Sequence, residues 1–371
     1  MSDIVIAGYL GFANSGDEAL LRVLLEEIKE NLPGKTVTVL SMKPKETEAA
    51  YGEEYGVRAI NRYNIFSVYR EFSRSKLLVF GGGSLLQDMT SRRSLAYYLF
   101  ILRAAIKTGM KTMLLANGVG PLIREKSRRR TAAVLNNVDV ITLRDAASAE
   151  LLKQIGVTGD ISVTADSAFL LSDCRVAPSG HDVYDTGMPK GSRYAVISLR
   201  SWKNQTASFA SVMASLCDDI TRKYGIYPLL VPLQYPSDLR IADDIALRAK
   251  QPVYIWRQPF TAADIGAVLG GAEFVLAMRL HMLIFAATMG IPVAAISYDP
   301  KVEAFMKTLD MPYIVDCGDM ADDGTSDKLS QFVSELTSQK ATIKEKIKRA
   351  ADAESARAAE NITSLVSLYA K

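Results

Sequence analysis

Two parallel-sheet α/β domains are what this sequence predicts, and three observations carry the prediction. Short β-branched apolar runs alternate with longer helical patterns along almost the whole chain, the spacing that parallel strands need for their crossover helices. At 371 residues the chain exceeds the length at which one hydrophobic core usually stops growing. Residues 172–192, SDCRVAPSGHDVYDTGMPKGS, hold three glycines and two prolines without any periodicity, which marks a join. The simplest architecture is a pair of Rossmann-like domains over residues 1–175 and 193–335, a linker over 176–192 and a helical segment over 336–371.

In the first half, strands are predicted over residues 4–7, 36–40, 77–80, 112–116 and 138–143, with a weaker one over 161–164. Helices are predicted between them, among others over 18–30, 94–108 and 146–155. The second half repeats the scheme with strands over 194–199, 228–231, 253–256, 274–277 and 293–297. Beyond Asp327 good helix formers continue to the end, and a closing helix that packs back across the first domain suits this architecture.

Composition narrows the function. An apolar fraction of 49% with 23% charged residues is that of a globular protein and excludes disorder. A net charge of +3 is too small to imply nucleic acid, and no nucleic-acid signature is present. Cys174, Cys217 and Cys317 are too widely spaced for a zinc pattern and too few for a disulfide framework, which fits a reducing cytosol. The opening MSDIVIAGYLG reads as a strand and not as a signal peptide. No apolar run reaches roughly eighteen residues, so no spanning helix is expected. The expected location is cytoplasmic.

In open parallel sheets ligands bind at the carboxyl ends of the strands, and there the polar residues of this sequence fall. In residues 274–285, FVLAMRLHMLIF, Arg279 and His281 stand two apart just past a predicted strand, where extended backbone points both to one side. After the first strand comes GYLGFANSGDEALL, in which Gly8, Gly11 and Gly16 allow close backbone approach and Asn14, Ser15 and Asp17 open a helix. The alternative to a ligand-facing role is a tight strand-to-helix turn capped by Asn14 or Ser15. The spacing is neither that of a dinucleotide fingerprint nor that of a P-loop. Gly82 and Gly83 with Asp88 follow the next strand tip in GGGSLLQD, Asn117 and Gly118 the one after, then Arg144, Arg200-Ser201-Trp202 and finally Lys301. Such cations suit an acidic small molecule carrying carboxylate or phosphate. No metal-ligand or nucleophile motif presents itself, so the expected chemistry is acid catalysis on an anionic substrate without metal or cofactor. His181, in the linker, reads as a solvated loop histidine. Residues 124–130, REKSRRR, carry five basic residues in seven and read either as a solvated helix face or as a peripheral contact with the inner face of the cell membrane.

From GYLGFANSGDEALL through VFGGGSLLQD, ANGVGPL and VITLRD to AMRLHMLIFAATMGIPVAAISYDPKV, the chain resembles the polysaccharide pyruvyl transferase family. Within it, the likeness is to the bacterial enzymes that pyruvylate a secondary cell-wall polymer for attachment of S-layer proteins. The resemblance implies a GT-B-type fold, two Rossmann-like domains facing across a cleft. It also implies transfer from phosphoenolpyruvate to a sugar, forming a pyruvate ketal and releasing phosphate. The implied acceptor is N-acetylmannosamine on a lipid-diphosphate-linked precursor. Transferred onto this sequence, His281 would be the general acid, Arg279 and Arg144 would clamp phosphoenolpyruvate, and Lys301 would neutralise the departing phosphate. Arg200 is a further carboxylate partner and Asp88 would orient an acceptor hydroxyl. Asn14, Gly16, Asp17, Gly82 and Gly83 would line the substrate site, and Asn117 and Gly118 would either join them or only shape the turn. Two rivals stand beside this reading: a nucleotide-sugar glycosyltransferase of the same fold class, and a non-catalytic binding protein for an acidic metabolite.

Overall fold

Residue alternation builds the first sheet. Its strands are β1 (Ile4–Ala7), β2 (Val37–Ser41), β3 (Arg58–Asn61), β4 (Leu77–Gly81), β5 (Lys111–Asn117), β6 (Val140–Leu143) and β7 (Ile161–Val163). Ile4, Ile6 and Val79 turn to one face, beneath the helices Ser15–Asn31 and Lys340–Ala370. Val5, Leu78 and Phe80 turn to the other, beneath Ile65–Phe72, Arg92–Lys107 and Glu125–Leu135. With both faces covered, the strands read as continuous apolar runs. All pair in parallel in the order β3-β2-β1-β4-β5-β6-β7, which puts the reversal of winding between β1 and β4.

The computed structural model describes residues 2–89, 91–173, 180–201 and 207–371. The chain divides into two units, Met1–Cys174 with Glu354–Lys371, and Arg175–Ala353. The second unit carries β8 (Tyr194–Ser198), β9 (Tyr227–Leu230), β10 (Tyr254–Ile255), β11 (Ala272–Ala277), β12 (Val293–Ser297) and β13 (Ile314–Asp316). These are again parallel, ordered β10-β9-β8-β11-β12-β13, with the reversal between β8 and β11. Two doubly wound α/β domains are therefore present.

The closing helix packs on the first unit. Leu365 and Leu368 join its core. Asn361 donates to the carbonyl of Ala165 at 3.0 Å and accepts from the Thr164 hydroxyl at 2.7 Å, while Tyr369 donates to Asp3 at 2.8 Å. The terminal helical region begins with the helix Asp323–Ser338, earlier than the composition suggested.

Sequence reading missed β3 and β13. Both are edge strands, the first without a fully buried residue and the second three residues long, so neither carries an apolar run. Of the expected linker, residues 176–179 lie outside the described residues, as do Cys174 and Trp202. His181 is solvent-exposed, as expected of a loop histidine, and it is also paired: its Nδ1 stands 2.9 Å from the buried Asp264 carboxylate and its ring lies edge-on to Trp256. No helix among the described residues is long and apolar enough to cross a membrane.

Candidate active site

Polar side chains gather in each unit at the carboxyl ends of its strands. In the first unit the side chain of Arg144, just past β6, is 6% exposed. Its Nη1 donates to Asp166 at 2.6 Å and its Nη2 to the Ser84 hydroxyl at 2.7 Å. Gly118, beyond β5, lets these groups meet: a Cβ there would stand 2.8 Å from the Ser84 oxygen and 3.0 Å from Arg144 Nε. Gly118→Ala is accordingly expected to destabilise the chain by about 1–3 kcal/mol through overpacking. A urea midpoint equal to wild type would refute this role for the glycine.

At the end of β1, Asn14 caps the helix Ser15–Asn31, its side chain accepting from the Gly16 N–H at 3.1 Å. Asp17 lies against the glycine run after β4, with its Oδ1 3.1 Å from where a Gly83 Cβ would be. Gly82 and Gly83 adopt φ of +53° and +75°, the left-handed region that a β-carbon disfavours. Glu18, one turn into that helix, accepts from the Gly11 N–H at 2.9 Å. Burial raises its carboxyl pKa, and the Gly11 bond only partly opposes that.

One expected role is corrected here, and one open alternative is narrowed. Asp88 was expected to orient an acceptor hydroxyl, yet its side chain is fully buried and accepts from the backbone N–H groups of Ile123 and Arg124 at 2.7 and 3.1 Å. Burial pushes this carboxyl up, but those bonds, the Ser127 side chain and the Arg124 charge hold it below the ordinary 3.8. It fixes a loop. Asn117 is likewise inside the fold, its amide donating to the carbonyls of Phe80 and Leu115 at 2.8 and 3.0 Å. Those bonds shape the strand end, the second of its two expected roles.

In the second unit Arg279 is the N-cap residue of the helix Leu280–Thr288. It makes a two-point ion pair with Asp238, Nε to Oδ2 at 3.0 Å and Nη2 to Oδ1 at 2.6 Å, with side-chain exposures of 12% and 3%. Asp238 also accepts from the Gln234 N–H at 3.0 Å. Arg279 and Arg144 are thus each held by a buried aspartate, which differs from the open clamp expected of them. His281 follows in the first turn of the helix, half-buried, its ring nearly parallel to Phe285 at 6.1 Å. Past β8, Arg200 donates from Nη1 to the Tyr298 hydroxyl at 3.1 Å and lies 4.8 Å from that ring's centre. Lys301 stands 5.9 Å from the same ring and 3.1 Å from Asp299. Two cations from the tips of β8 and β12, the strands flanking β11, therefore meet on one phenol. Among the described residues no group of three or more His, Cys, Asp or Glu is placed to hold a metal ion.

Sequence reading gave no role to Ser84, Asp166, Asp238, Tyr298 or Arg62. The last is 3% exposed, donates to the Gly8 carbonyl at 2.8 Å and is ringed by Phe12, Tyr63, Tyr97 and Tyr98 at 4.5–5.6 Å. It sits just past β3, so the strand-tip rule would have found it had that edge strand been recognised.

Residues 14–300 match the family described as polysaccharide pyruvyl transferase. The chain belongs to that family. A curated relative is the amylovoran biosynthesis protein AmsJ of Erwinia amylovora, 22% identical in a match 250 residues long that covers 62% of this chain and 59% of AmsJ. The match thus spans less than two thirds of that relative's length. Among solved structures, a glycosyltransferase from Rickettsia africae aligns with a TM-score of 0.63 at 14% identity, covering 99% of this chain and 98% of the other. A putative UDP-N-acetylglucosamine 2-epimerase from Listeria monocytogenes aligns at 0.62 and 14%, covering 97% and 94%. The UDP-GlcNAc 2-epimerase of Neisseria meningitidis, bound to UDP-GlcNAc, aligns at 0.63 and 12%, covering 98% of both. At these identities the likeness concerns the fold of this polysaccharide pyruvyl transferase family member.

Proposed function

We propose that this protein transfers the three-carbon unit of phosphoenolpyruvate to two hydroxyls of one sugar, giving a pyruvate ketal and inorganic phosphate. The observation that carries the reading is the pair of cations, Arg200 and Lys301, on the ring of Tyr298 at the strand tips beside β11, the strand that His281 follows. Membership of the family supports it. The Leu280–Thr288 helix starts without a side-chain cap, which favours an anion there.

The chemistry follows from the donor. His281 delivers a proton to the methylene carbon of phosphoenolpyruvate, and the C=C π pair forms the new C–H bond, leaving an oxocarbenium centre. One sugar hydroxyl adds to that carbon and loses its proton to the vacated imidazole. The C–O bond to phosphate then breaks with its electron pair on the departing phosphate, whose charge Lys301 and Arg200 offset. The second hydroxyl closes the ring, and its proton leaves with phosphate or solvent. Arg279, tied to Asp238, positions the start of the helix that carries His281.

The finer proposal is that the acceptor is N-acetylmannosamine on a lipid-diphosphate-linked cell-wall precursor, and that the product anchors S-layer proteins. Incubation with phosphoenolpyruvate and a synthetic lipid-diphosphate disaccharide, followed by mass spectrometry, tests both levels. A pyruvyl mass gain with matching phosphate release is expected. A glycosyl gain from a nucleotide sugar, or no product with any pyruvate-accepting saccharide, would overturn the reading.

A further inference from the structure

The outer face of two neighbouring helices in the first unit is apolar where solvent should favour polar side chains. The helix Ile65–Phe72 buries Val68 and Phe72 against the sheet, yet Ile65 and Phe66 on its outer side are 53% and 90% exposed. Tyr69 extends that side and meets Phe100 of the helix Arg92–Lys107 edge-to-face at 6.2 Å. Tyr63 adds a further exposed ring just before the first helix. Singly exposed apolar residues are ordinary, but a contiguous group on adjoining helices marks a contact surface.

Charge says what the surface meets. Residues 56–124 contain eleven lysines and arginines and two acids, Glu71 and Asp88, both buried. Arg62 is buried and Arg124 begins the separate 124–130 segment, and the charges on these two helices are the exposed Arg70, Arg92, Arg93, Arg103 and Lys107. On the helix Arg92–Lys107 the exposed stripe at helical spacing is Arg93, Ala96, Phe100, Arg103 and Lys107. No carboxylate interrupts it. A second copy of this face would set like charges against each other, which disfavours self-association through it.

We propose that this face docks on an anionic lipid bilayer, with Ile65, Phe66, Tyr69 and Phe100 entering the headgroup boundary and the flanking arginines meeting lipid phosphates. Amphipathic rings rest at that depth, and basic side chains around them add attraction to anionic headgroups. This inference stands independently of the pyruvyl-transfer reading. It concerns a surface distinct from residues 124–130, whose helix carries Glu125 paired with Arg129 at 3.5 Å.

Vesicle flotation without phosphoenolpyruvate or acceptor tests it. The protein is expected to float with phosphatidylcholine vesicles containing about one third phosphatidylglycerol, poorly with phosphatidylcholine alone, and to be released by salt. Ile65→Ser with Phe66→Ser is expected to lower partitioning about tenfold or more, and Arg93→Glu with Arg103→Glu to remove the dependence on phosphatidylglycerol. Because Ile65 and Phe66 are exposed, the serine variant should keep the wild-type melting temperature, and that is measured alongside. Failure of the wild type to float, equal flotation of the serine variant, or a dimer that the serine variant abolishes would each overturn the proposal.

Discussion

Replacing His281 with alanine is expected to slow phosphate release from phosphoenolpyruvate roughly a hundred- to ten-thousandfold, the usual contribution of a positioned general acid. The side chain stands in the first turn after β11, at the point where the winding of the second sheet reverses, and its ring is backed by Phe285. Under the proposed reaction this ring supplies the proton, since an enol ester cannot become electrophilic at its central carbon until its methylene carbon is protonated. The loss should fall on kcat, with the KM for phosphoenolpyruvate little changed, because Arg200 and Lys301 are left in place. In deuterated solvent the product methyl group of the wild type should carry one deuterium. Wild-type kcat in His281→Ala would take the imidazole out of the reaction.

Asp238→Ala is expected to destabilise the second unit by about 3–5 kcal/mol, since it strands the Arg279 guanidinium in a largely buried place with no counter-charge. For a unit of this size the melting temperature should fall by about 10 °C. Replacing both partners by apolar residues, Arg279→Met with Asp238→Leu, should recover much of that loss, because the cost comes from the unpaired charge and not from the missing bond. The double variant should nonetheless turn over poorly, since the start of the His281 helix is no longer fixed. A melting temperature for Asp238→Ala within about 2 °C of wild type would show that the pair does little for the fold.

Legibility in the sequence tracks burial on two sides. β1 and β12 begin and end where their apolar runs do, and the other central strands fall within a residue or two, because a strand covered on both faces has no reason to carry a polar residue. β3 and β13 escaped notice because an edge strand needs only a few backbone bonds and no continuous apolar run. The strand-tip rule led to Arg144, Arg200, Arg279, His281 and Lys301, since an arginine or histidine just past an apolar run stands out. It could not tell an arginine that waits for a ligand from one already paired. Asp166 and Asp238, the carboxylates that hold Arg144 and Arg279, lie 22 and 41 residues away in sequence, and only the tertiary fold brings each pair together. Asp88 misled for the same reason. A carboxylate near a glycine turn looks reactive until the backbone N–H groups of Ile123 and Arg124 are seen to occupy it.

Docking of Leu365 and Leu368 beside Ile4, Ile6 and Val79 has a bearing on synthesis. Translation delivers the seven strands of the first sheet long before the segment that seals one of its sides, so the half of the protein made first is finished last. Until then the hydrocarbon that Leu365 and Leu368 cover stays open to nascent neighbours and chaperones, and a ribosome that stalls anywhere in the second half leaves behind an adhesive product.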